Sequence, residues 1–241
     1  MEKKQEARME ISAVIPVYNE KDNILPMVER IEVAFQKGFK KYEIIFVNDG
    51  SNDGSYEILN TLKMENPNVK VYHFIKNSGQ SAAIDAGFQK AEGNLVLMMD
   101  GDLQTDPEDV YKLLEYIPEY DVVNGRRATR EDGFKRKLAS KIGNGFRNFV
   151  TGDNIQDTGC PLKLFKKEVV KSYKMFNGMH RFLPTLAKYM GYKVTEVPVR
   201  HYDRLHGESK YRVFGRGFKA FKDVFAVRWM KNKMLTWKIE E

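Results

Sequence analysis

Five short apolar runs, separated by segments of helical periodicity, constrain this chain more than any other feature. They lie at residues 11–17, 43–47, 69–75, 95–99 and 121–123. Runs this short and continuous suit buried strands rather than lone helices. Residues 22–36 carry Leu25, Val28, Ile31 and Phe35 at helical spacing, with Asp22 placed as N-cap. Further helices are expected from Asp53 or Ser55 to about Met64, over 78–91, and from Asp106-Pro107, with Pro at the first position. Strand–helix alternation of this kind predicts an α/β fold, a mainly parallel sheet with helices on both faces.

The second half is less regular. A basic helix is expected over 134–150, a loop over 157–161, a helix over 179–190 and an edge strand over 193–200, where Pro198 is tolerated. No repeat, low-complexity tract or clear linker divides the chain. Its 241 residues, 42% hydrophobic and 30% charged, fit one soluble domain with a C-terminal extension and exclude a disordered or collagen-like chain. Cys160 is the single cysteine, so no intramolecular disulfide forms and a reducing cytoplasm is expected. Residues 1–8 are charged and lack a signal peptide's apolar stretch. No run approaches the ~20 apolar residues of a bilayer span. Membrane contact is therefore expected to be peripheral or made through a partner. The net charge of +7 is weighted toward the segment after Arg200 and predicts a phosphate-rich partner: nucleic acid, nucleotide or anionic lipid.

Polar clusters follow the apolar runs repeatedly: Tyr18-Asn19-Glu20, Asn48-Asp49, Asp100-Gly101-Asp102 and Asn124-Gly125-Arg126-Arg127. Open α/β sheets bind ligands at the carboxyl ends of their strands, so these clusters are expected to converge. Asp100 and Asp102 stand one residue apart and repel unless a cation lies between them. Hard oxygen donors in small number suit Mg²⁺ or Mn²⁺ shared with a substrate's phosphates. The alternative is a solvated acidic turn, with Asp106 capping the next helix. His180, His201 and His206 lack the spacing of a zinc site, and His73 reads as structural. Cys160 reads as a small packed side chain.

Val14-Ile-Pro-Val-Tyr-Asn-Glu20, Val47-Asn-Asp-Gly-Ser51, Met99-Asp-Gly-Asp-Leu-Gln104, Gly125-Arg-Arg127, Asp157-Thr-Gly159 and Arg204-Leu-His-Gly-Glu-Ser-Lys210 together resemble the family 2 glycosyltransferases of the GT-A fold. Within that family the chain is most similar to the polyprenyl-phosphate group that includes dolichol-phosphate mannose synthases. The likeness runs from about Ile11 to Tyr211, which sets a transferase domain at 1–211 and a basic amphipathic helix at 212–241. It implies an inverting transfer of sugar from a GDP- or UDP-linked donor to a polyprenyl phosphate. Pro16, Tyr18 and Glu20 would floor the nucleotide, and Asp49 would accept from base or ribose. Asp100, Asp102 and Gln104 would hold Mg²⁺ or Mn²⁺, with Gly101 between the two carboxylates. Arg127 would approach the phosphates or the acceptor. Arg204 and Lys210 would close over the diphosphate, Arg by its two-pronged fork. Asp157 would act as base or positioner for a hydroxyl acceptor. Asn48 departs from the Asp-Asp pair common at that position in the family.

Bland readings stand beside these. Tyr18 could pack under the sheet edge, Asp49 could serve a turn with Gly50-Ser51, and Asp157 could hold its loop. On a C-terminal helix, Phe214, Phe218, Phe221, Phe225 and Trp229 share one face, which is either core packing or a surface lying on anionic lipid. A hydroxyl-directed family 2 transferase is the competing activity. A basic nucleic-acid-binding protein lacks any module pattern. A location at the cytoplasmic membrane face is expected, and a membrane-protein partner or a homo-oligomer is left open.

Overall fold

A computed structural model of the chain describes residues 9–127, 134–203 and 213–234, with backbone alone over 134–142 and 213–220. The apolar runs form β1 (Ile11–Val17), β2 (Tyr42–Asn48), β3 (Val69–His73), β4 (Leu95–Met98) and β5 (Val122–Arg127). Helices α1 (Lys21–Phe35), α2 (Ser55–Glu65), α3 (Gln80–Lys90) and α4 (Val110–Leu114) lie between them. The second half adds α5 (Phe134–Thr151), β6 (Lys163–Lys166), α6 (Lys167–Ser172), α7 (Leu183–Tyr189), β7 (Val194–Val199) and α8 (Val213–Lys233).

One sheet takes the order β3-β2-β1-β4-β6-β5-β7. β6 is antiparallel to β4 and β5, and the other pairings are parallel. The mainly parallel α/β expectation holds. Alternation along the strands sends side chains to two cores. Ile11, Ala13, Ile15 and Val17 of β1 pack with α1, α2 and α4 on one face, while Val14 packs with α3 on the other. The second core also takes Leu183 and Leu186 of α7 and Val224 and Val227 of α8, so the last helix shares in the fold.

Local expectations needed four corrections. Asp22 does not cap α1: the helix starts at Lys21, Glu20 occupies the cap position, and Asp22 sits in the first turn, where its charge suits the helix dipole. β5 extends through Arg127, because its parallel register with β7 continues to Arg127 opposite Val199. The helix expected over 179–190 splits into a 3₁₀ turn, Met179–Arg181, and α7, because Pro184 suits a new helix start rather than a continuing one. β6 gave no sequence signal, being four residues long with a lysine at each end.

The crossovers decide where a ligand can lie. From β1 the chain moves to β2 on one side, while β4 lies against β1 on the other. The strand order thus reverses at β1, and the carboxyl ends of β1 and β4 meet at the position where open α/β sheets form their ligand crevice. Across the sheet, the Gly125 amide donates to the Leu162 carbonyl at 2.8 Å. A Cβ there would stand 2.7 Å from that carbonyl oxygen and 2.9 Å from Cys160 Sγ and Val199 Cγ2. We expect Gly125→Ala to lower stability by about 1–3 kcal/mol in urea unfolding; an unchanged midpoint would show that the sheet widens freely at this point.

Candidate active site

Hydrogen bonds between the strands level the tips that carry the polar clusters. The Met99 amide donates to the Val14 carbonyl at 3.1 Å, and the Asp49 amide to the Val17 carbonyl at 2.8 Å. Asp100 and Asp49 thus follow the strands on either side of β1, whose last two residues are Pro16 and Val17. Gly101 crosses β1 so closely that a Cβ would come within 3.3 Å of the Pro16 carbonyl oxygen. Leu103, at φ 60°, turns the chain through the left-handed region, which a branched apolar residue occupies at a cost. Its side chain is buried, and that burial offsets the strain.

Gln80, the first residue of α3, donates from Nε2 to Asp100 Oδ1 at 2.8 Å. Asp102 is buried and accepts the Gln104 amide on Oδ1 at 3.2 Å. Among the described residues, no three His, Cys, Asp or Glu side chains gather as a metal cage. Two hard carboxylates with few further protein donors fit Mg²⁺ or Mn²⁺ completed by phosphate oxygens.

Gln104 has a second task. Its Nε2 donates to the Tyr202 carbonyl at 3.3 Å, its own carbonyl accepts the Tyr202 amide at 2.9 Å, and Thr105 bridges to His201. Arg200 clamps the same junction, its amide and Nε reaching Asp109 at 2.6 and 2.9 Å and Nη1 reaching Asp106 at 3.0 Å. Asp106 also caps the 3₁₀ turn Pro107–Asp109, as the sequence suggested. The chain after β7 is thereby laid beside the acidic pair. Arg204 and Lys210, the expected phosphate clamp, lie outside the described residues, as does His206.

Beyond β4, Arg127 grips Asp157 with two prongs, Nε to Oδ2 at 2.8 Å and Nη2 to Oδ1 at 2.7 Å, and its amide adds a contact at 3.2 Å. Burial pushes the Asp157 carboxyl up, but the Arg127 guanidinium outweighs that and holds it below the usual carboxylate range. So held, Asp157 is a weak base and an effective anchor for Arg127. Glu196 of β7 accepts the Gln156 and Asp157 amides at 2.6 and 2.9 Å. Asn124 donates to the Asp157 carbonyl at 2.9 Å. Buried Arg147 of α5 bonds Thr158 Oγ1 at 2.8 Å and the Ile155 carbonyl. Lys163 is fully buried, and its Nζ donates to the carbonyls of Thr158, at 3.1 Å, and Cys160. Burial pulls its ammonium below the usual lysine range. Glu196, Arg147 and Lys163 were missed because none lies in a motif, although Glu196 is the one charged residue of its edge strand.

On the nucleotide side, Tyr18 is 37% exposed and so is not packed under the sheet edge. Glu20 accepts from Asn23 Nδ2 at 2.6 Å, and its amide donates to Ser55 Oγ. Asp49 accepts the Ser78 amide at 2.6 Å and the Gly79 amide at 2.9 Å, which fastens the entry to α3. Burial pushes its carboxyl up against the pull of these amides. The departure at Asn48 has a structural reason: its Oδ1 accepts the Ser51 amide while its Nδ2 faces His73 Nδ1 at 3.1 Å. An aspartate there could not donate to that ring nitrogen.

The Arg127–Asp157 fork should leave a signature in acid. The folded pKa of Asp157 lies below its unfolded value near ~3.9, so the stabilisation is fully present above about pH 4 and is lost as pH falls through the folded value. Asp157→Asn is expected to cost about 1.5–3 kcal/mol at pH 7, with the gap to wild type closing toward acid. A gap independent of pH, measured by urea unfolding, would deny the fork its charge contribution.

Comparison with known proteins bears on this arrangement. Residues 12–174 match the family model described as glycosyl transferase family 2. The chain is 39% identical over 204 residues to the undecaprenyl-phosphate 4-deoxy-4-formamido-L-arabinose transferase of Edwardsiella ictaluri, covering 83% of this chain and 62% of that protein. It is 35% identical over 227 residues to the dodecaprenyl-phosphate galacturonate synthase of Rhizobium johnstonii, covering 91% and 66%. The chain thus spans less than two thirds of the length of these relatives. Among solved structures, the mannosyltransferase PcManGT of Pyrobaculum calidifontis, in complex with GDP-Man and Mn²⁺, superposes with a TM-score of 0.63 at 16% identity, covering 96% of this chain and 66% of that one. The matched segment covers well over half of the chain, which belongs to glycosyl transferase family 2, with the GT-A fold.

Proposed function

We propose that the chain moves a sugar from a nucleoside diphosphate to the phosphate of a polyprenol, with inversion at the anomeric carbon. The observation that carries this reading is Asp157 locked into the Arg127 fork across from the acidic pair. A hydroxyl acceptor needs a base, and the one carboxylate expected to supply it is held by a guanidinium. A phosphate monoester is already anionic near neutral pH, with its second pKa at about 6, and can attack without one. Two relatives are named for polyprenyl-phosphate products, which supports the same acceptor class.

In this reading Pro16, Tyr18 and Glu20 receive the nucleoside. Asp49 keeps its fastening of residues 78 and 79 while it borders the base or ribose. Asp100 and Asp102, with Gln104 beside them, would hold Mg²⁺ or Mn²⁺; PcManGT was solved with Mn²⁺ and GDP-Man. Such an ion neutralises charge growing on the departing diphosphate. Arg127 is positioned by Asp157 to meet an anionic group of acceptor or donor. Arg204 and Lys210 would add cations from the segment that follows the clamped Tyr202. GDP and UDP donors both remain compatible with this lining.

The acceptor implies a lipid surface. Among the described residues no helix is long and apolar enough to cross a membrane. The described part of the α8 aromatic stripe is not core: Val224 and Val227 fill the inside, whereas Phe221, Phe225 and Trp229 face out, and the side chains of Phe214 and Phe218 lie outside the described residues. Phe146 of α5 stacks on Phe221 at 5.2 Å, and Phe149 beside it is 87% exposed. Lys222, Arg228, Lys231 and Lys233 share the helix with the stripe. We read 1–211 as the transferase unit and α5 with α8 as a surface that rests on anionic lipid at the cytoplasmic membrane face.

Incorporation of radiolabelled sugar into undecaprenyl phosphate, with UDP- and GDP-sugars and Mn²⁺, tests the reaction. Asp102→Ala is expected to cut turnover about a hundredfold or more. Undiminished turnover, or label entering only saccharide acceptors, would overturn the proposal. Trp229→Glu combined with Phe149→Glu should abolish sedimentation with anionic vesicles while diphosphate binding in solution stays intact. Equal sedimentation by variant and wild type would remove the membrane role of this surface.

A further inference from the structure

A closed circuit of hydrogen bonds surrounds the tip of β1. It leaves the strand where the Val17 carbonyl accepts the Asp49 amide at 2.8 Å. The Asp49 carboxylate then accepts the Ser78 amide on Oδ1 at 2.6 Å and the Gly79 amide on Oδ2 at 2.9 Å. The next residue, Gln80, donates from Nε2 to Asp100 Oδ1 at 2.8 Å. Met99, the neighbour of Asp100, returns the circuit to β1 by donating to the Val14 carbonyl at 3.1 Å. Residues 78–80 therefore join the carboxylate that follows β2 to the first carboxylate of the acidic pair.

The joining segment has little freedom. Gly79 stands at φ 94° and ψ 154°, a region open essentially to glycine alone. Asn77 Nδ2 donates to the Asp49 carbonyl at 3.2 Å. A Cβ on Gly50 would stand 2.6 Å from the Asn77 amide nitrogen, so the two loops meet backbone to backbone. Gln80 thus opens α3 from a fixed start. Gln80 and Asp100 also line one cleft of about 210 Å³, together with the 158–161 loop and Lys163. Their bond belongs to a wall that a ligand meets, not to the interior of the core.

The chemistry of the partner matters as much as its place. The Arg127 guanidinium steers Asp157 and offsets its charge as well. An amide steers a carboxylate without bringing a charge of its own. Hydrogen bonds of this second kind orient the ligands of metal ions, and losing one weakens metal binding by about 10–100-fold.

We propose that Gln80 is a positioning residue of the metal site: it sets the direction of the Asp100 carboxylate, while Asp49, through the amides of Ser78 and Gly79, sets Gln80. The proposal rests on the reading of Asp100 and Asp102 as the pair that would hold Mg²⁺ or Mn²⁺. It gives Asp49 a task besides any contact with base or ribose, and it makes the nucleoside side and the metal side of the crevice one mechanical unit.

Calorimetric titration with UDP, GDP and inorganic pyrophosphate, each in Mn²⁺ and in EDTA, tests it. The proteins compared are wild type, Gln80→Met, Asp49→Asn and the double variant. Methionine matches glutamine in length and lacks the donor. The gain in diphosphate affinity that Mn²⁺ brings should shrink about tenfold in Gln80→Met. Affinity in EDTA should stay within about twofold of wild type, and urea unfolding shows that each variant is folded. Pyrophosphate has no base to touch, so a loss of its Mn²⁺-dependent affinity in Asp49→Asn reports on the metal site alone. The double variant should lose no more than about twofold beyond Gln80→Met, because both residues act at one carboxylate. An undiminished gain in Gln80→Met, or equal losses in Mn²⁺ and EDTA, overturns the role of Gln80. Losses that multiply in full in the double variant overturn the link from Asp49. A wild type that binds all three probes no better in Mn²⁺ than in EDTA removes the metal reading itself, and the proposal with it.

Discussion

The bond from the Met99 amide to the Val14 carbonyl decides where the chemistry can happen. It continues the parallel ladder between β1 and β4 by one step and delivers Asp100 beside Pro16. Were β4 one residue out of register, Asp100 and Asp102 would both turn to the opposite side of the sheet, and Val96, Leu97 and Met98 would each enter the wrong core. The register is held by burial on both sides: Val96, Leu97, Met98 and Met99 are 3% exposed or less. A core requirement therefore places two carboxylates at a crevice that topology has already opened.

Charge on the far side of the crevice is arranged by the same logic. Ionised groups brought out of water need compensation, and bidentate geometry supplies it most effectively. Arg127 lies on β5 because the pairing with β7 runs to the end of the strand, and Asp157 meets it because Glu196, Asn124, Arg147 and Lys163 all hold the intervening loop. The antiparallel β6 is essential to this. It inserts between β4 and β5 and carries Lys163 opposite Met98 and Asn124, so the brace reaches the loop from inside the sheet.

What was legible in the sequence follows from range. Strands β2, β4 and β5 announce themselves by local apolar composition, and the polar residues that follow those apolar runs could be placed along one edge without knowing a single contact. Asp106 and its proline likewise declared their turn. The members of the loop-holding network did not, because each acts on a partner far along the chain: Arg147 on Thr158, Glu196 on Asp157, Ser81 on His180 across 99 residues of separation. β6 was hidden because its buried lysine reads as a surface residue, and only the carbonyls around it make that burial tolerable. The α8 stripe was ambiguous because periodicity identifies an apolar face but not what covers it; Val224 and Val227, not Phe221 and Phe225, point inward.

Two features that look separate, the occupied carboxylate and the outward aromatics, answer to one constraint. An acceptor that must be deprotonated requires a base near the reacting atoms, and that base would have to keep its pKa within reach of neutrality. Here the carboxylate opposite the acidic pair is instead lowered and tied to a guanidinium. That arrangement suits an acceptor that arrives already charged, and a phosphate carried on a long lipid is such a species. A lipid that stays in its bilayer obliges the protein to approach the surface, and an exposed Phe and Trp stripe interleaved with lysine and arginine is a means of doing so. On the proposed reading, an acceptor of this kind would account both for the carboxylate tied to Arg127 and for the aromatics displayed on α5 and α8.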